Sequence, residues 1–181
     1  MEERIIRSTL NLIGQYGFRK FTLDDVSAEL GISKKTLYKY FSGKQQLITE
    51  TIAWFLREDK QKTLQAIAQE TTWAAKILAM VNTSFTLPMK QLAELRQFYP
   101  EVWQQVDALQ EFKIKLFYDL LLEGSRKGEL NPAIDLEIVA PMLKAFMDRL
   151  LQIEYLQKND ITMRQLLEQL SEVFFNGILV R

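Results

Sequence analysis

Apolar residues recur at helical spacing along almost the whole chain, and the few glycines and prolines stand where helices would end. The first predicted helix runs to Gly17, which can adopt the left-handed conformation that ends a helix. Thr22 can cap a second helix, with Asp25 three residues later in a short version of the capping box, and Gly31 ends it. There is no strand-like alternation of useful length, no internal repeat and no low-complexity linker. The pattern therefore predicts an all-α protein.

The later elements follow the same pattern. Ser33 can cap a third helix from Lys34 to Phe41, and the "SGK" sequence that follows separates it from a fourth helix, which we expect to end at about Lys62. Further helices are predicted at 72–85, 89–98, 101–127, 136–157 and 162–178. The chain should therefore contain an N-terminal three-helix unit followed by a larger helical bundle.

A helix, a glycine turn and a second helix in succession are typical of a helix-turn-helix motif. Val26, Leu37 and Phe41 supply the apolar positions expected inside such a motif. If Leu37 and Phe41 point into the core, Lys34, Lys35, Tyr38 and Lys39 cannot all point there too and must project outward from the third helix. This is the place from which a recognition helix reaches the major groove of DNA.

The charge distribution supports this interpretation locally. The 181-residue chain has 23 Lys and Arg and 23 Asp and Glu, so no overall excess of charge favours nucleic acid. The stretch from Leu30 to Lys44 nevertheless holds four lysines and two tyrosines, and no acid occurs between Glu29 and Glu50. Lysine can meet phosphate or guanine acceptors, and a tyrosine hydroxyl can bond phosphate. The alternative is a solvated amphipathic helix whose lysines serve only solubility.

The sequence "FTLDDVSAELGISKKTLYKYFSGKQQL" (Phe21 to Leu47) closely resembles the DNA-binding region of the tetracycline-repressor (TetR) family of bacterial transcriptional regulators. With Gly17 and Phe18, the resemblance covers about the first 50 residues. It implies a homodimeric regulator that binds a small effector through its C-terminal domain. We accordingly predict a helix-turn-helix DNA-binding domain at 1–45 and a helical ligand-binding and dimerisation domain at 46–181.

The resemblance also implies roles for individual residues. Lys34, Lys35 and Thr36 fall where family members commonly contact bases, although the position of Lys35 is often glycine or proline in relatives. Phosphate contacts are usual at the positions of Thr22, Ser33, Tyr38, Tyr40 and Lys44, and the helix N-terminus at Lys44 also suits phosphate.

The last two predicted helices, at 136–157 and 162–178, carry apolar residues over an unusually wide arc of the helix surface. Such helices need burial on two sides, and a partner subunit could supply the second side. The candidate dimer-interface residues are Leu143, Phe146, Leu150, Leu166, Leu170 and Phe174. The alternative is a centrally buried pair of helices in a monomer.

Aromatic residues and methionines are concentrated in the middle of the chain, where they could enclose a small apolar or aromatic effector. The candidate wall residues are Phe85, Trp103, Phe117 and Tyr118, while most other aromatic residues should belong to the ordinary core.

Absent residue types narrow the function further. The chain has no histidine and no cysteine, which removes imidazole and thiolate chemistry, and no nucleophile motif or glycine-rich phosphate loop is present. We therefore expect no catalytic residue, no metal and no cofactor. The acidic N-terminus is unlike a signal peptide, and no apolar run reaches the roughly 20 residues of a membrane span. We expect a cytoplasmic repressor that binds a pseudo-palindromic DNA operator and releases it when the effector binds. The alternatives are a helical adaptor for protein partners and a helical enzyme.

Overall fold

The computed structural model describes residues 1–83, 89–150 and 153–178, apart from the side chains at 89, 140, 143, 146–150, 153–154, 157, 163 and 174–178. The described residues form helices and no strand, which confirms the predicted all-α class. The helices are α1 (Glu2–Tyr16), α2 (Leu23–Leu30), α3 (Lys34–Tyr38), α4 (Lys44–Ala68), α5 (Trp73–Asn82), α6 (Met89–Phe98), α7 (Pro100–Arg126), α8 (Leu136–Leu150), α9 (Ile153–Lys158) and α10 (Met163–Ile178).

Helix ends differ from the predictions where local geometry changes. The third helix ends at Tyr38 instead of Phe41, because the chain tightens there and Tyr40 N–H donates to Leu37 O at 3.0 Å. The fourth helix continues to Ala68, beyond the predicted end at Lys62. The segment predicted as one helix at 136–157 contains α8 and α9, and residues 151–152 between them lie outside the described residues.

The helices divide into two compact units. The first unit comprises Met1–Glu58 and Lys90–Asp107, and the second comprises Asp59–Met89 and Ala108–Arg181. In the first unit α1 packs on α2 and α2 packs on α3. Its largest fully buried side chains are Ile5, Ile13, Phe18, Phe21, Leu37, Phe41, Leu47, Ile48, Ile52 and Leu95. The functional boundary at residue 45 stays a prediction.

The second unit is organised around a buried tryptophan. Thr72 caps α5 by accepting a hydrogen bond from Ala75 N–H, and Trp73 at the start of that helix is 1% exposed. The core cluster consists of Ile67, Trp73, Ile77, Met80, Leu120, Leu121 and Leu130. The tryptophan ring lies against Gly124 of α7 so closely that a Cβ atom added there would come within 2.7 Å of it. Helix α10 also packs on α5.

The second unit also buries polar groups. Lys113 Nζ lies 2.6 Å from Asp59 Oδ2, and the two side chains are 17% and 6% exposed. The hydroxyls of Thr63 and Thr83 are hydrogen-bonded at 3.1 Å. Buried charges require such partners, since leaving one of them unpaired costs several kcal/mol. The interior of this unit therefore contains an ion pair that the sequence did not indicate.

Two further properties concern the whole described region. None of its helices combines the length and hydropathy that crossing a bilayer requires. It also contains no group of three or more acidic residues that could hold a metal ion.

Replacing Gly124 with alanine tests the contact with Trp73. The added methyl group has to displace a fully buried ring, so Gly124→Ala should lower the free energy of unfolding by about 1–3 kcal/mol. The matched control is Gly14→Ala in α1, where no atom lies within 4 Å of the added methyl group. Alanine is the better helix former by up to about 1 kcal/mol, so the control should be neutral or stabilising. Urea unfolding followed by circular dichroism measures both variants, and equal stabilities would contradict the packing described.

Candidate nucleic-acid interface

Local hydrogen bonds position the helix-turn-helix. Thr22 Oγ1 accepts from Asp25 N–H at 3.2 Å, and the Asp25 carboxylate accepts from Thr22 N–H at 2.7 Å. This is the capping box that the sequence predicts. Gly31 ends α2 with a φ of 64°, and Ser33 then caps α3 by accepting from Thr36 N–H at 3.1 Å. The predicted caps of both helices and the glycine stop between them are thus confirmed.

Burial determines which side of α3 meets solvent. Leu37 and Phe41 are 0% and 1% exposed, as is Val26 of α2 at 0%, which confirms the predicted inner face. The side chains on the opposite side are exposed and comprise Lys34, Lys35, Tyr38, Lys39 and Tyr40. They form a basic surface with two accessible phenol groups, which we call the recognition surface. Its composition suits phosphate and base acceptors alike.

Three predicted contact residues at the start of α3 already have intramolecular partners. Lys34 Nζ lies 2.7 Å from Asp24 Oδ1 of α2. The hydroxyls of Ser33 and Thr36 are hydrogen-bonded to each other at 2.9 Å, and Thr36 is half-buried. These polar groups would have to keep or exchange their partners when DNA arrives. Their DNA contacts stay predictions.

Thr22 is engaged as well. Its hydroxyl donates to Asp25 Oδ2 at 2.8 Å in addition to accepting the capping bond. The hydroxyl and the backbone N–H of Thr22 hold the pKa of the Asp25 carboxyl below its ordinary value. Asp25 is therefore ionised near neutral pH and places a negative charge at the N-terminus of α2. A phosphate contact at Thr22, which stays a prediction, would have to form beside that charge.

Lys44 links the start of α4 to the loop between α1 and α2. Its Nζ donates to Arg19 O at 2.9 Å and to Phe21 O at 2.6 Å, and it lies 4.3 Å from the centre of the Phe21 ring. Burial lowers the pKa of Lys44, while the nearby carboxylates of Asp25 and Glu94 oppose that shift. An ammonium group has three donors, so one remains for phosphate. Lys44 therefore has a structural role besides its predicted DNA contact.

Helix α6 also contributes to the first unit, far along the sequence from the motif. Phe18 N–H donates to Glu94 Oε2 at 2.9 Å, and Gln91 Nε2 donates to Gly14 O at 2.9 Å. Arg19 lies 4.7 Å from the centre of the Phe98 ring. We call this set of contacts the α6 clamp. It holds the C-terminal end of α1 and the loop that leads to α2.

The predicted effector residues fall into different parts of the structure. Phe85 lies outside the described residues. Trp103 is in the first unit, with the Arg96 guanidinium 5.8 Å from its ring centre. Phe117 and Tyr118 are in the second unit, both half-buried, and Phe117 packs against the Trp73 core cluster. Their role in ligand binding stays a prediction.

The predicted dimer residues can be described only in part. The side chains of Leu143, Phe146, Leu150 and Phe174 lie outside the described residues. Leu166 is 8% exposed and is thus buried within its own chain, while Leu170 is half-buried. Among the described side chains of α8 and α10, the large apolar ones that are exposed include Ile138, Met142 and Val173, at 59%, 64% and 73%. The dimer interface stays a prediction.

The fold and the recognition surface define a DNA-binding protein of the helix-turn-helix class. Residues 5–51 match the family model described as "Bacterial regulatory proteins, tetR family". The HTH-type transcriptional regulator YvaF of Bacillus subtilis is 30% identical over 183 residues, which cover 98% of this chain and 95% of YvaF. The chain therefore belongs to the TetR family of bacterial transcriptional regulators, as the sequence motif indicated.

Solved structures share the fold at lower identity. A transcriptional regulator from Saccharomonospora viridis in complex with choline has a TM-score of 0.76 at 17% identity, covering 99% of this chain and 98% of that one. FadR from Bacillus subtilis in complex with stearoyl-CoA has a TM-score of 0.64 at 17% identity, covering 98% of this chain and all of that one, at 100%. Both likenesses extend over the helices beyond the motif.

Lys39 and Lys44 should respond differently to substitution. Lys39→Ala removes an exposed charge from the recognition surface, so DNA affinity should fall for every sequence and the salt dependence should flatten by about 0.9 per protomer in log–log slope. The melting temperature should not change. Lys44→Met should also lower the melting temperature, because two backbone carbonyls lose their donor. Fluorescence anisotropy at several salt concentrations and thermal melting measure these effects. Unchanged stability of Lys44→Met would contradict its structural role.

Proposed function

We propose that this chain is a cytoplasmic repressor that binds a pseudo-palindromic DNA operator as a homodimer and releases it when a small effector binds to the C-terminal helices. The observation that carries the proposal is the recognition surface. Helix α3 and the two residues after it present lysines and tyrosines to solvent, while Leu37 and Phe41 are buried on the inner side. A helix-turn-helix contacts DNA from that side of its second helix. In this proposal Lys34, Lys35 and Thr36 contact bases, and the other predicted residues hold phosphate.

Release by an effector requires that DNA and effector favour different conformations of the protein. The α6 clamp supports a route for such coupling within the first unit. Helix α6 holds Gly14 and Phe18, and the chain continues from there directly into the capping box of α2. A shift of α6 would therefore alter the support of the recognition surface. The coupling free energy is the same in both directions, so the operator must weaken effector binding as much as the effector weakens operator binding.

The effector that we propose is small and apolar or aromatic. Phe117 and Tyr118 are half-buried in the second unit and offer aromatic surface, which supports this proposal. The two solved structures contain ligands of different chemistry, choline in one and stearoyl-CoA in the other, so they support a ligand-binding role without indicating one compound. The Asp59–Lys113 ion pair adds a polar element, so the interior of the second unit is not wholly apolar.

The proposed dimer is supported by exposed apolar residues on the late helices. Ile138 and Met142 are four residues apart in α8 and lie on the same helix face. Val173 of α10 is exposed as well, at 73%. Burying such side chains against a second copy would remove about 25 cal/mol of unfavourable hydration per Å². A symmetric dimer would also explain a two-fold operator, because each protomer supplies one recognition helix.

Operator binding and effector release can be tested in sequence. Genomic DNA fragments retained by the protein should share an inverted repeat, and a thermal-shift screen of apolar and aromatic compounds should supply effector candidates. A true effector at a hundredfold excess over its Kd should stabilise the protein by about 2.7 kcal/mol. It should also weaken operator binding by the factor by which operator weakens its own binding. Compounds that raise the melting temperature but leave operator affinity unchanged would contradict this account, and failure to retain any fragment would favour the protein-adaptor alternative.

The dimer proposal predicts sedimentation as a dimer at micromolar protein concentration. Met142→Asp places a charge on the exposed apolar surface of α8, so it should shift the protein to monomer while the fold remains intact. Leu64→Asp is the matched control, since Leu64 is an exposed leucine of α4 at 43%. The control variant should remain dimeric. A wild-type protein that sediments as a monomer would rule the dimer out, and a dimeric Met142→Asp would place the interface elsewhere.

A further inference from the structure

An acidic residue lies beside the recognition surface, where it opposes DNA binding electrostatically. Asp24 in the first turn of α2 and Lys34 at the start of α3 form an ion pair of 2.7 Å, and their side chains are 66% and 55% exposed. Ion pairs of such exposure contribute little to stability, typically about 0–1 kcal/mol. Stability is therefore a weak explanation for placing a carboxylate next to a phosphate-binding surface.

Asp24 also differs from its neighbour Asp25 in what it does for the helix. The Asp25 carboxylate completes the capping box with Thr22, whereas the Asp24 carboxylate is directed to Lys34 on the next helix. A helix N-terminus attracts phosphate through its unpaired N–H groups, and a carboxylate in the first turn weakens that attraction. The carboxylate that contacts Lys34 thus lowers the affinity of this helix end for DNA.

We propose that Asp24 determines operator specificity by positioning Lys34. The carboxylate holds one donor of the ammonium group and offsets its charge, and two donors remain for hydrogen bonding. Without Asp24, Lys34 would be a mobile cation that any nearby phosphate could capture. With Asp24 in place, the ammonium favours the N-terminus of α3, from where it donates to a base acceptor such as guanine O6 or N7. This inference rests on the proposed binding of DNA through α3.

The test compares specificity with affinity in the variant Asp24→Asn, which keeps the side-chain shape and removes the charge. An operator is first selected from random DNA with the wild-type protein. Kd is then measured for that operator, for single-base variants of it and for unrelated DNA. The variant should bind unrelated DNA more tightly, with a salt dependence steeper by about 0.9 per protomer. The ratio of Kd values between unrelated DNA and operator should fall by roughly five- to tenfold, within the range that one base contact provides.

Two controls separate positioning from a general effect of charge. Glu29→Gln removes one negative charge from an exposed position of the same helix and should tighten binding to all DNA equally, leaving the ratio unchanged. Lys34→Gln removes the residue that Asp24 is proposed to position. In the Lys34→Gln background, Asp24→Asn should no longer change the ratio.

Three results would overturn the inference. An unchanged ratio in Asp24→Asn, with tighter binding to all DNA, would mean that Asp24 contributes only charge. Weaker binding to all DNA with a lower melting temperature would mean that it acts only on the fold. If the wild-type protein selects no sequence at all, the proposed operator binding is itself wrong and the inference falls with it. In the first two cases operator binding by the wild type still stands.

Discussion

The burial of Leu37 and Phe41 is the constraint on which the interface depends. Helix α3 is only five residues long and is too short to be stable by itself, so both its helical conformation and its orientation depend on packing. The two apolar side chains enter the core of the first unit, and the lysines and tyrosines of the recognition surface are left in solvent. Burial of Leu37 and Phe41 thus determines the direction of polar side chains that do not enter the core. A polar substitution at either position would disturb the recognition surface by turning the helix, even with every lysine retained.

Features set by short-range chemistry could be predicted from sequence. The caps at Thr22 and Ser33 and the stop at Gly31 each depend on residues within about one turn, and all three are present in the structure. The inner face of α3 follows from the spacing of its apolar residues. The TetR membership likewise follows from a motif contained in one continuous stretch.

Contacts between residues that are distant in the sequence could not be predicted in this way. The partner of Phe18 N–H is Glu94, and that of Asp59 is Lys113, and in neither case does local sequence mark the pair. The ion pair of Asp24 with Lys34 spans the turn of the motif. The sequence shows that the two residues have opposite charges, but it does not show that the charged groups lie close together. Apolar periodicity cannot distinguish the inside of one chain from a subunit interface, so the interface role of Leu166, which is buried in its own chain, stays a prediction. The wall residues of the effector site stay predictions for the same reason.

The α6 clamp affects the design of chimeras in which the DNA-binding segment of one regulator is joined to the effector domain of another. The sequence motif ends near residue 51, which invites the view that the N-terminal segment is a portable module. The structure divides the chain otherwise, since residues 90–107 belong to the same compact unit as the motif. A chimera that joins the first 58 residues to a foreign effector domain would leave Phe18 N–H and Gly14 O without Glu94 and Gln91. Successful transplantation should therefore carry α6 and the start of α7 along with the motif.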